Sequence, residues 1–297
     1  MILAVVSCFL NEERYLRRCL DSVVAQTEPP DELLLVDDGS TDGSAELAEE
    51  FAAAHSWARV LRRPPRPPEH DRLAHAAVVQ AFTDALDNLD GEWEALGKLD
   101  ADMELTPDVL ATVRHEFEQD PSLGMTGPRI SEPDPSGGAV RKPCGPDHVE
   151  GSTKFYRRAC FEQIAPLPAF LGWDTIDESR ARLHGWSTRS FEAPGGDPIH
   201  MRPMGAHDGG LRARRRWGLC AYSYGAHPAH VLAYGGRLAL RPPYITGGVS
   251  YLAGWAGGAI RRAPRAEPEL REFVRRDQWR RLTRRLGRDS RTKAAAG

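Results

Sequence analysis

Residues 33–38 read Leu-Leu-Leu-Val-Asp-Asp, an apolar run that ends in two carboxylates. Four consecutive large apolar residues without alternation predict a strand that is buried on both faces of a parallel sheet. Further along, residues 98–102 read Lys-Leu-Asp-Ala-Asp and follow a second apolar run. Ligands of parallel α/β sheets bind beyond the carboxyl ends of the strands, where these aspartates are expected to lie. The two stretches therefore predict an α/β fold with a ligand site at the carboxyl edge of its sheet.

The Asp-x-Asp segment at 100–102 predicts a metal site. In an extended chain, side chains two positions apart point to the same side, so both carboxylates are expected to face one ligand. Carboxylate oxygens bind hard divalent cations, and such an ion neutralises the charge of a departing phosphate group. An isolated Asp-x-Asp is more often part of a surface loop, and turn chemistry alone can explain Asp37 and Asp38 before Gly39. The two stretches together favour binding of a phosphorylated ligand.

Strands alternate with helices in the pattern of the N-terminal two thirds. Apolar residues with helical spacing follow each of the first strands, which indicates right-handed parallel crossovers. Residues 128–146 are rich in Gly and Pro and are expected to form a loop near the binding site. The predicted strands are 2–7, 32–36, 59–61, 93–99 and 187–191.

The composition is typical of a globular protein, since 41% of the 297 residues are hydrophobic and 27% are charged. Five cysteines are scattered without a Cys-x-x-Cys pair, which indicates neither a disulfide framework nor a zinc ribbon. We interpret them as the reduced thiols of a cytoplasmic protein. The apolar stretch 2–10 is too short to cross a membrane and lacks the flanks of a signal peptide, so it is expected to be the first strand.

The C-terminal part differs from the rest in charge. Residues 261–297 hold 13 Lys and Arg against 5 Asp and Glu, in a chain whose net charge is -3. Apolar residues among the arginines of 269–286 predict an amphipathic basic helix. Such a helix packs on the rest of the protein with a solvated arginine face, or it binds peripherally to the inner, cytoplasmic surface of a membrane. No nucleic-acid motif accompanies the charge, so no nucleic-acid partner is predicted.

Four segments, in this order, make the chain resemble glycosyltransferase family 2, a group of inverting enzymes with the GT-A fold. Any one of the segments alone is a weak signal, whereas four in the right order are specific. The resemblance implies an α/β fold in which helices flank a Rossmann-like, mostly parallel sheet. The four segments are 5–13, 22–27, 36–42 and 100–102.

The resemblance covers about residues 1–205, which predicts the domain organisation. We expect a GT-A catalytic domain over 1–205, with a nucleotide-binding half at 1–105 and an acceptor-binding half at 106–205. Residues 206–297 are expected to form a helical, basic extension.

The resemblance also implies roles for residues of the nucleotide-binding half. Asp102 is the implied main ligand of a divalent cation, Mn²⁺ or Mg²⁺. Asp100 is implied to face the sugar or the ribose of the donor. The residues for which it implies contacts with the nucleotide are Cys8, Asn11, Glu12, Asp38 and Asp100.

The chain departs from the family pattern where the catalytic base is expected. Typical members have a Glu-Asp pair whose Asp is the base, whereas residues 171–178 contain Asp174 and Asp177 instead. In the family an Arg follows the base by six positions, as Arg180 follows Asp174, so Asp174 is slightly favoured and Asp177 stays open. A capping role at the start of a helix is the structural alternative for one of them. Trp173 is expected either to pack or to stack on the acceptor sugar.

Two residues late in the catalytic domain complete the predicted site. Members of the broader GT-A group often use a late His as an additional metal ligand, and His200 occupies that position. Imidazole binds manganese-like ions beside carboxylates. An ordinary core or surface histidine explains His200 equally well. Arg202 is expected to hold the diphosphate through a bidentate contact.

The sequence therefore predicts a metal-dependent, inverting glycosyltransferase of the hexosyltransferase type. Its expected donor is a nucleotide sugar, a UDP-sugar before others, and its acceptor a hydroxyl group of a glycan, a lipid-linked saccharide or a natural product. A role in polysaccharide biosynthesis fits these substrates. A sugar nucleotidyltransferase is one alternative, although residues 7–13 lack its Gly-rich phosphate loop. A non-catalytic nucleotide-sugar-binding protein is another alternative. The presence of carboxylates wherever the reaction is expected to need them argues against it. Loops 62–72 and 126–150 are expected to decide the donor.

Overall fold

The computed structural model describes residues 1–65, 76–134, 137–145, 147–202 and 209–294, with the backbone alone for residue 209 and residues 284–294. Its chain forms two compact units. The first unit comprises Met1–Ala169 and Arg180–Pro203, and the second comprises Phe170–Ser179 and Met204–Gly297.

The first unit contains all the strands of the described residues. The strands are β1 (Leu3–Phe9), β2 (Glu32–Asp37), β3 (Ala58–Arg62), β4 (Ala95–Leu99), β5 (Met103–Glu104), β6 (Leu123–Pro128), β7 (Ser131–Pro133), β8 (Ala139–Arg141), β9 (Thr153–Arg157), β10 (Ser187–Phe191) and β11 (Ile199–His200). A seven-stranded sheet has the order β10-β6-β9-β4-β1-β2-β3, and a four-stranded sheet has the order β5-β11-β7-β8. In the large sheet only β9 runs antiparallel to its neighbours β4 and β6. The predicted mostly parallel α/β sheet is therefore confirmed.

Helices cover both faces of the large sheet, which explains why its strands are apolar without alternation. The helices of this part of the chain are α1 (Glu13–Val24), α2 (Ser44–Ala54), α3 (Ala77–Leu86), α4 (Val109–Gln119), α5 (Arg158–Ile164) and α6 (Trp173–Leu183), the last of which both units share. On one face, Val5 and Leu33 belong to a cluster with Leu16 of α1. On the other face, the ring of Phe161 contacts Tyr156 of β9 and Phe82 of α3 edge to face.

The Asp-x-Asp segment is not extended, which corrects the expectation from its spacing. Strand β4 ends at Leu99 and β5 begins at Met103, so residues 100–102 form the turn between the two sheets. The backbone N–H of Met103 closes this turn by donating to the carbonyl oxygen of Asp100 at 3.1 Å. The chain passes from one sheet to the other here. Aspartate is favoured in such turns because its carboxylate can accept hydrogen bonds from nearby backbone N–H groups.

Residues 128–146 are not a plain loop, because they contain the hairpin of β7 and β8. Ser131 pairs with Arg141, and Pro133 pairs with Ala139. Gly137 and Gly138 have φ values of +96° and +92°, a backbone conformation that glycine adopts without strain. The Gly- and Pro-rich composition was therefore correct about the turn but missed the short strands on either side of it.

The second unit is helical in its described residues. It contains the start of α6 together with α7 (Gly209–Ser223), α8 (Pro228–Ala239), α9 (Tyr244–Ile260) and α10 (Pro268–Ala294). The predicted C-terminal helices are thus confirmed, whereas the domain boundaries at 105 and 205 stay predictions. None of the described helices combines the length and the apolar character needed to cross a bilayer.

Glycines allow α7 and α9 to approach each other with their backbones in contact. A Cβ added to Gly254 of α9 would lie 1.9 Å from the carbonyl oxygen of Arg215, and one added to Gly218 of α7 would lie 1.9 Å from that of Tyr251. No side chain can turn away from such an overlap, because both atoms belong to the helix backbones. Small residues at these positions therefore fix the distance between the two helices.

We expect Gly254→Val to destabilise the second unit by about 3 kcal/mol, because the added side chain forces α9 away from α7. Urea denaturation followed by circular dichroism measures the change. Gly236→Ala on α8 is the matched control, since a Cβ there meets nothing within 4 Å. This control should leave stability unchanged or raise it by about 0.5 kcal/mol through helix propensity. Equal stability of the Gly254→Val and control variants would contradict the close packing.

Candidate functional site

Parallel pairing brings the ends of three strands to one edge of the large sheet. Phe9 at the end of β1 pairs with Asp37 at the end of β2, and β4 lies on the other side of β1. The backbone N–H of Asp38 donates to the carbonyl oxygen of Phe9 at 2.9 Å. Residues 8–12, residue 38 and residues 100–102 consequently lie at the carboxyl edge, as the sequence predicted.

Asp38 is buried at this edge, with 4% of its surface exposed, and it pairs with Arg63. The Arg63 guanidinium, itself 8% exposed, donates to Asp38 and to Asp84. Arg63 follows β3 directly, and the sequence analysis did not identify it, because an arginine after a strand has no distinctive spacing. The pair holds the Asp38 carboxylate in a fixed place at the end of β2.

Removal of Arg63 should destabilise the first unit, because it takes the guanidinium away from the buried Asp38 carboxylate. We expect Arg63→Gln to lower the free energy of unfolding by about 3 kcal/mol. The control is Arg17→Gln, because Arg17 is 59% exposed and pairs with Glu50, which is 71% exposed. Exposed pairs contribute less than about 1 kcal/mol, so the control should remain close to the wild type. Equal losses in urea denaturation would contradict the buried pair.

Cys8 and Asn11 contribute differently to this edge. Burial raises the pKa of the Cys8 thiol to about 12, so Cys8 is a neutral thiol at physiological pH and not a nucleophile. Asn11 has a φ of +56°, in the left-handed region that asparagine tolerates. Its Oδ1 accepts from the backbone N–H of Thr41 at 2.8 Å, and its own N–H donates to Ser40 Oγ at 3.0 Å. Asn11 therefore joins the end of β1 to the loop after β2.

Asp100 faces a buried cation. The Lys98 ammonium, which is 3% exposed, contacts the Asp100 carboxylate and donates to the carbonyl oxygen of Gly151 at 2.7 Å. Burial raises the pKa of Asp100, and the neighbouring charge of Asp102 acts in the same direction, while Lys98 opposes both. Lys98 thus allows two carboxylates to lie in one short turn.

Asp102 meets His200 and Arg202 through the small sheet. His200 of β11 pairs with Met103 of β5, and the Met201 N–H donates to the carbonyl oxygen of Asp102 at 2.8 Å. His200 Nε2 lies 3.2 Å from Asp102 Oδ1, and Arg202 Nε lies 3.6 Å from Asp102 Oδ2. The structure therefore brings the predicted site residue Asp102 together with His200 and Arg202, which follow it 98 and 100 positions later in the sequence.

The charges of this group support one another. Burial alone would raise the pKa of Asp102, but the hydrogen bond and charge of His200, together with Arg202, lower it below its ordinary value. Burial alone would lower the pKa of His200, but its hydrogen bond to Asp102 and the carboxylates around it raise it. The Asp102 carboxylate is thus held in its anionic form, the form that binds a cation.

Arg202 also contacts Glu12. Its guanidinium donates to the Glu12 carboxylate and lies over the ring of Tyr15, with 5.1 Å between Cζ and the ring centroid. Burial raises the pKa of Glu12, against the effect of Arg202. The Glu12 backbone N–H donates to Ser44 Oγ at 2.8 Å. Arg202 is consequently positioned by Glu12, Tyr15 and Asp102.

The donor atoms of Asp102 and His200 fit one divalent cation. Two neighbouring ligands of an ion bound at about 2.1 Å are about 3 Å apart, close to the 3.2 Å between Oδ1 and Nε2. His200 Nδ1 has no hydrogen-bond partner among the described residues, and the equally unsatisfied Glu132 Oε1 lies 4.0 Å away. A carboxylate behind the second ring nitrogen is typical of metal-binding histidines. Glu132 had no signal in the sequence.

The described residues supply two donors to such an ion. Within the described ranges, no group of three or more His, Cys, Asp or Glu side chains is arranged to hold a metal. A bound ligand or water can supply further oxygens to an ion at Asp102 and His200. Mg²⁺-type ions are commonly held by one or two carboxylates together with substrate phosphates.

The remaining predicted residues lie in the second unit, at the start of α6. Trp173 is the first residue of this helix and is partly buried. Asp174 is partly exposed in the first turn, whereas Asp177 is fully buried in the second. Asp177 Oδ1 accepts from the backbone N–H of Glu178 at 2.6 Å. Only Asp174 therefore occupies the first turn, the position expected of a capping residue, and it is also the more accessible carboxylate.

Two of the solved structures that are similar to this chain contain a nucleotide or nucleotide sugar together with Mn²⁺. Mannosyltransferase PcManGT from Pyrobaculum calidifontis, in complex with GDP-Man and Mn²⁺, has a TM-score of 0.55 at 18% identity, over 90% of this chain and 77% of that chain. GalNAc-T7 with UDP, GalNAc and Mn²⁺ has a TM-score of 0.56 at 16% identity, over 91% of this chain and 54% of that chain. At these identities the likeness is evidence of a shared fold, and the predicted GT-A fold is confirmed.

Comparison with curated sequences and with family models gives matches to part of the chain. Glycosyltransferase GlyA of Streptococcus pneumoniae is 46% identical over 50 residues, which are 17% of this chain and 7% of that protein. The matched parts span 7%, 16% and 21% of the first three curated relatives. The family described as Glycosyl transferase family 2 matches residues 4–165, more than half of the chain and all four of the segments quoted above. The chain therefore belongs to glycosyl transferase family 2.

Proposed function

We propose that this protein is a metal-dependent, inverting glycosyltransferase that transfers a sugar from a nucleotide-sugar donor to a hydroxyl acceptor. The observation that supports this most is the group of Asp102, His200 and Arg202 at the carboxyl edge of the sheet. Its carboxylate and imidazole suit a divalent cation, and its guanidinium suits a diphosphate. A nucleoside diphosphate with a bound divalent cation offers both of these partners together.

The chain's own residues divide the work of binding the donor. Asp38, fixed by Arg63, is placed to accept hydrogen bonds from the base or ribose at the end of β2. Arg202 can leave Glu12 and bind the diphosphate, because both partners are anionic and the ligand offers the larger charge. When bound at Asp102 and His200, Mn²⁺ or Mg²⁺ would neutralise negative charge on the leaving diphosphate.

For the acceptor we propose Asp174 as the base. In an inverting displacement the acceptor oxygen forms a bond to the anomeric carbon as the bond to the diphosphate breaks, and the electron pair departs with the diphosphate. The acceptor proton then needs a carboxylate that a substrate can reach. Asp174 is partly exposed, whereas Asp177 is buried and accepts a backbone hydrogen bond.

The donor, the acceptor and the location belong to the same proposal. We favour a UDP-sugar and a glycan, lipid-linked saccharide or natural product as substrates, and the cytoplasm as the location. UDP is present in one similar structure and GDP-Man in another. The described part of loop 62–72 includes Arg63. Arg63 pairs with Asp38, which is proposed to contact the base or ribose of the nucleotide. The rest of that loop, from residue 66, lies outside the described residues.

Calorimetric titration of the whole chain with UDP, GDP and dTDP, each with and without Mn²⁺, tests the proposal. We expect one of the three to bind at least tenfold more tightly when Mn²⁺ is present. Release of the matching nucleoside diphosphate from its sugar donor should also depend on Mn²⁺. If none of the three nucleotides bound, the proposed donor site would be wrong. If one bound with the same affinity in Mn²⁺, in Mg²⁺ and in chelator, the proposed metal dependence would be wrong.

A further inference from the structure

Helix α9 has an unusual composition for the surface of a protein. Its 17 residues, Tyr244–Ile260, include no charged side chain. One side of it is buried, because Gly248, Tyr251, Gly254 and Gly258 face inward, and Gly248 and Gly254 allow the backbones of α8 and α7 to come close. A helix that is apolar all round is ordinarily enclosed on every side.

The other side of α9 is exposed and also apolar. At 100° per residue, five of its eight exposed residues fall within an arc of about 80°. Ile245 is 71% exposed, Val249 58% and Ile260 82%, with exposed alanines between them. We call this set the α9 stripe; its members are Ile245, Val249, Ala253, Ala256 and Ile260. A continuous apolar stripe of this kind marks a surface that another apolar phase covers.

Positive charge surrounds the α9 stripe. Between residues 209 and 265 the sequence contains nine arginines and neither Asp nor Glu. Exposed Arg241 lies three residues before the first residue of α9, and exposed Arg261 and Arg262 follow its last residue directly. An apolar strip with cations at both ends is complementary to a layer that is apolar inside and anionic at its surface.

We propose that the α9 stripe binds to the surface of a bilayer that contains anionic phospholipids. The helix lies parallel to the membrane plane, with the stripe among the upper parts of the acyl chains and the arginines at the headgroup phosphates. Arginine suits this place because its guanidinium binds phosphate oxygens in a bidentate manner. At 1.5 Å per residue α9 is about 26 Å long, and its other side is already occupied by α7 and α8.

This assigns the membrane contact to a different helix from the one that the sequence suggested. The apolar residues Leu270 and Val274 of α10 are buried, and Trp279, which is 52% exposed, is the one large exposed apolar side chain among the described side chains of that helix. Two of its arginines form i, i+4 pairs with Glu272 and Asp277, which reduce its net positive charge. In the described residues, α9 offers the larger free apolar surface and the stronger uncompensated charge.

A second copy of the chain is a poorer occupant of the α9 stripe. In a twofold contact between two α9 helices, each end of one helix lies near an end of the other. All of these ends carry arginine, so the contact would place like charges together. A bilayer with anionic headgroups instead provides phosphates to both ends at once.

Co-flotation of the full chain with vesicles tests the proposal and needs no sugar donor, so its outcome is independent of the proposed catalytic function. We expect binding to phosphatidylcholine vesicles that contain about one third phosphatidylglycerol. The variant Ile245→Gln/Val249→Gln/Ile260→Gln should weaken this partitioning about 100-fold, because three apolar contacts are lost. Raising NaCl from 0.05 to 0.5 M should weaken wild-type binding roughly tenfold through screening of the arginines.

Two control variants separate α9 from other surfaces. Ile2→Gln/Val24→Gln removes exposed apolar side chains of the first unit and should leave partitioning unchanged. Arg276→Gln/Arg280→Gln removes exposed charge from α10 and should weaken it less than threefold. A large loss in the α10 variant with none in the α9 variant would overturn the proposal. Equal binding to vesicles of phosphatidylcholine alone would overturn the part assigned to the arginines.

Hydrogen exchange on the wild-type protein gives a second readout that needs no variant. We expect amides of residues 244–260 to gain protection with anionic vesicles, and those of 268–283 to change little. Light scattering provides the opposing result: a wild-type dimer that the α9 variant converts to a monomer, without vesicle binding, would assign the stripe to a second copy. Circular dichroism should show the wild-type helix content in every variant.

Discussion

Replacing Asp102 with asparagine is expected to abolish manganese-dependent nucleotide binding and to reduce sugar transfer about 1000-fold, which corresponds to about 4 kcal/mol of transition-state stabilisation. The amide keeps the size of the carboxylate but loses its charge. It therefore leaves a cation with His200 as its main protein ligand, and it leaves Arg202 without one of its anionic partners. Calorimetry with the nucleotide that binds the wild type, with and without Mn²⁺, measures the first effect, and initial rates of donor turnover measure the second.

Asp90→Asn is the matched control for this variant. Asp90 also lies in the first unit, but its side chain is 74% exposed and pairs with Arg59. It should bind the nucleotide and turn over the donor as the wild type does. An Asp102→Asn protein that is folded and keeps tight, manganese-dependent binding would rule out Asp102 as a metal ligand. If the substitution weakened nucleotide binding by the same factor with Mn²⁺ and with chelator, Asp102 would contact the nucleotide directly instead.

Asp174→Asn is expected to lower kcat about 1000-fold while donor affinity stays within about twofold of the wild type, because general bases typically contribute between 10² and 10⁴ to a rate. Asp177→Asn should instead act on stability. Its buried carboxylate accepts the N–H of Glu178, and we expect the change to lower the free energy of unfolding by about 2 kcal/mol. Rates at saturating donor, together with urea denaturation, separate the two effects.

The pair also contains its own controls. The free energy of unfolding of Asp174→Asn should lie within about 0.5 kcal/mol of the wild-type value, since a partly exposed residue contributes little to stability. Asp177→Asn, assayed below its unfolding transition, should retain most of its activity. The reverse pattern, with a stable but inactive Asp177→Asn and an active Asp174→Asn, would transfer the role of base to Asp177.

Much of the fold follows from local features of the sequence. The apolar run 33–36 and its neighbours predict a buried parallel sheet, and carboxylates directly after such strands must lie at its carboxyl edge. The positions of Asp38 and Asp102 were therefore predictable. The family resemblance added His200, and the chemistry of diphosphate binding added Arg202; no local pattern connects either residue to Asp102.

Other parts of the site could not be predicted, because they depend on contacts between distant segments. Arg63 and Lys98 are ordinary cations in the sequence, and only the folded chain shows that they compensate buried carboxylates. Glu132 lies in a stretch that its composition predicted to be a loop, and pairing of β7 with β11 brings it behind His200. The turn at 100–102 was missed because a period-two rule applies only to extended chain.

The antiparallel pairing of β5 with β11 has a consequence for the newly made protein. Asp102 leaves the ribosome 98 residues before His200, and synthesis proceeds at roughly 5–20 residues per second. The nascent chain therefore passes about 5 to 20 seconds with the aspartate present and its histidine not yet made. A cation bound at the proposed Asp102 and His200 site would therefore gain its imidazole ligand, and the selectivity that imidazole gives, only after β11 has joined the small sheet.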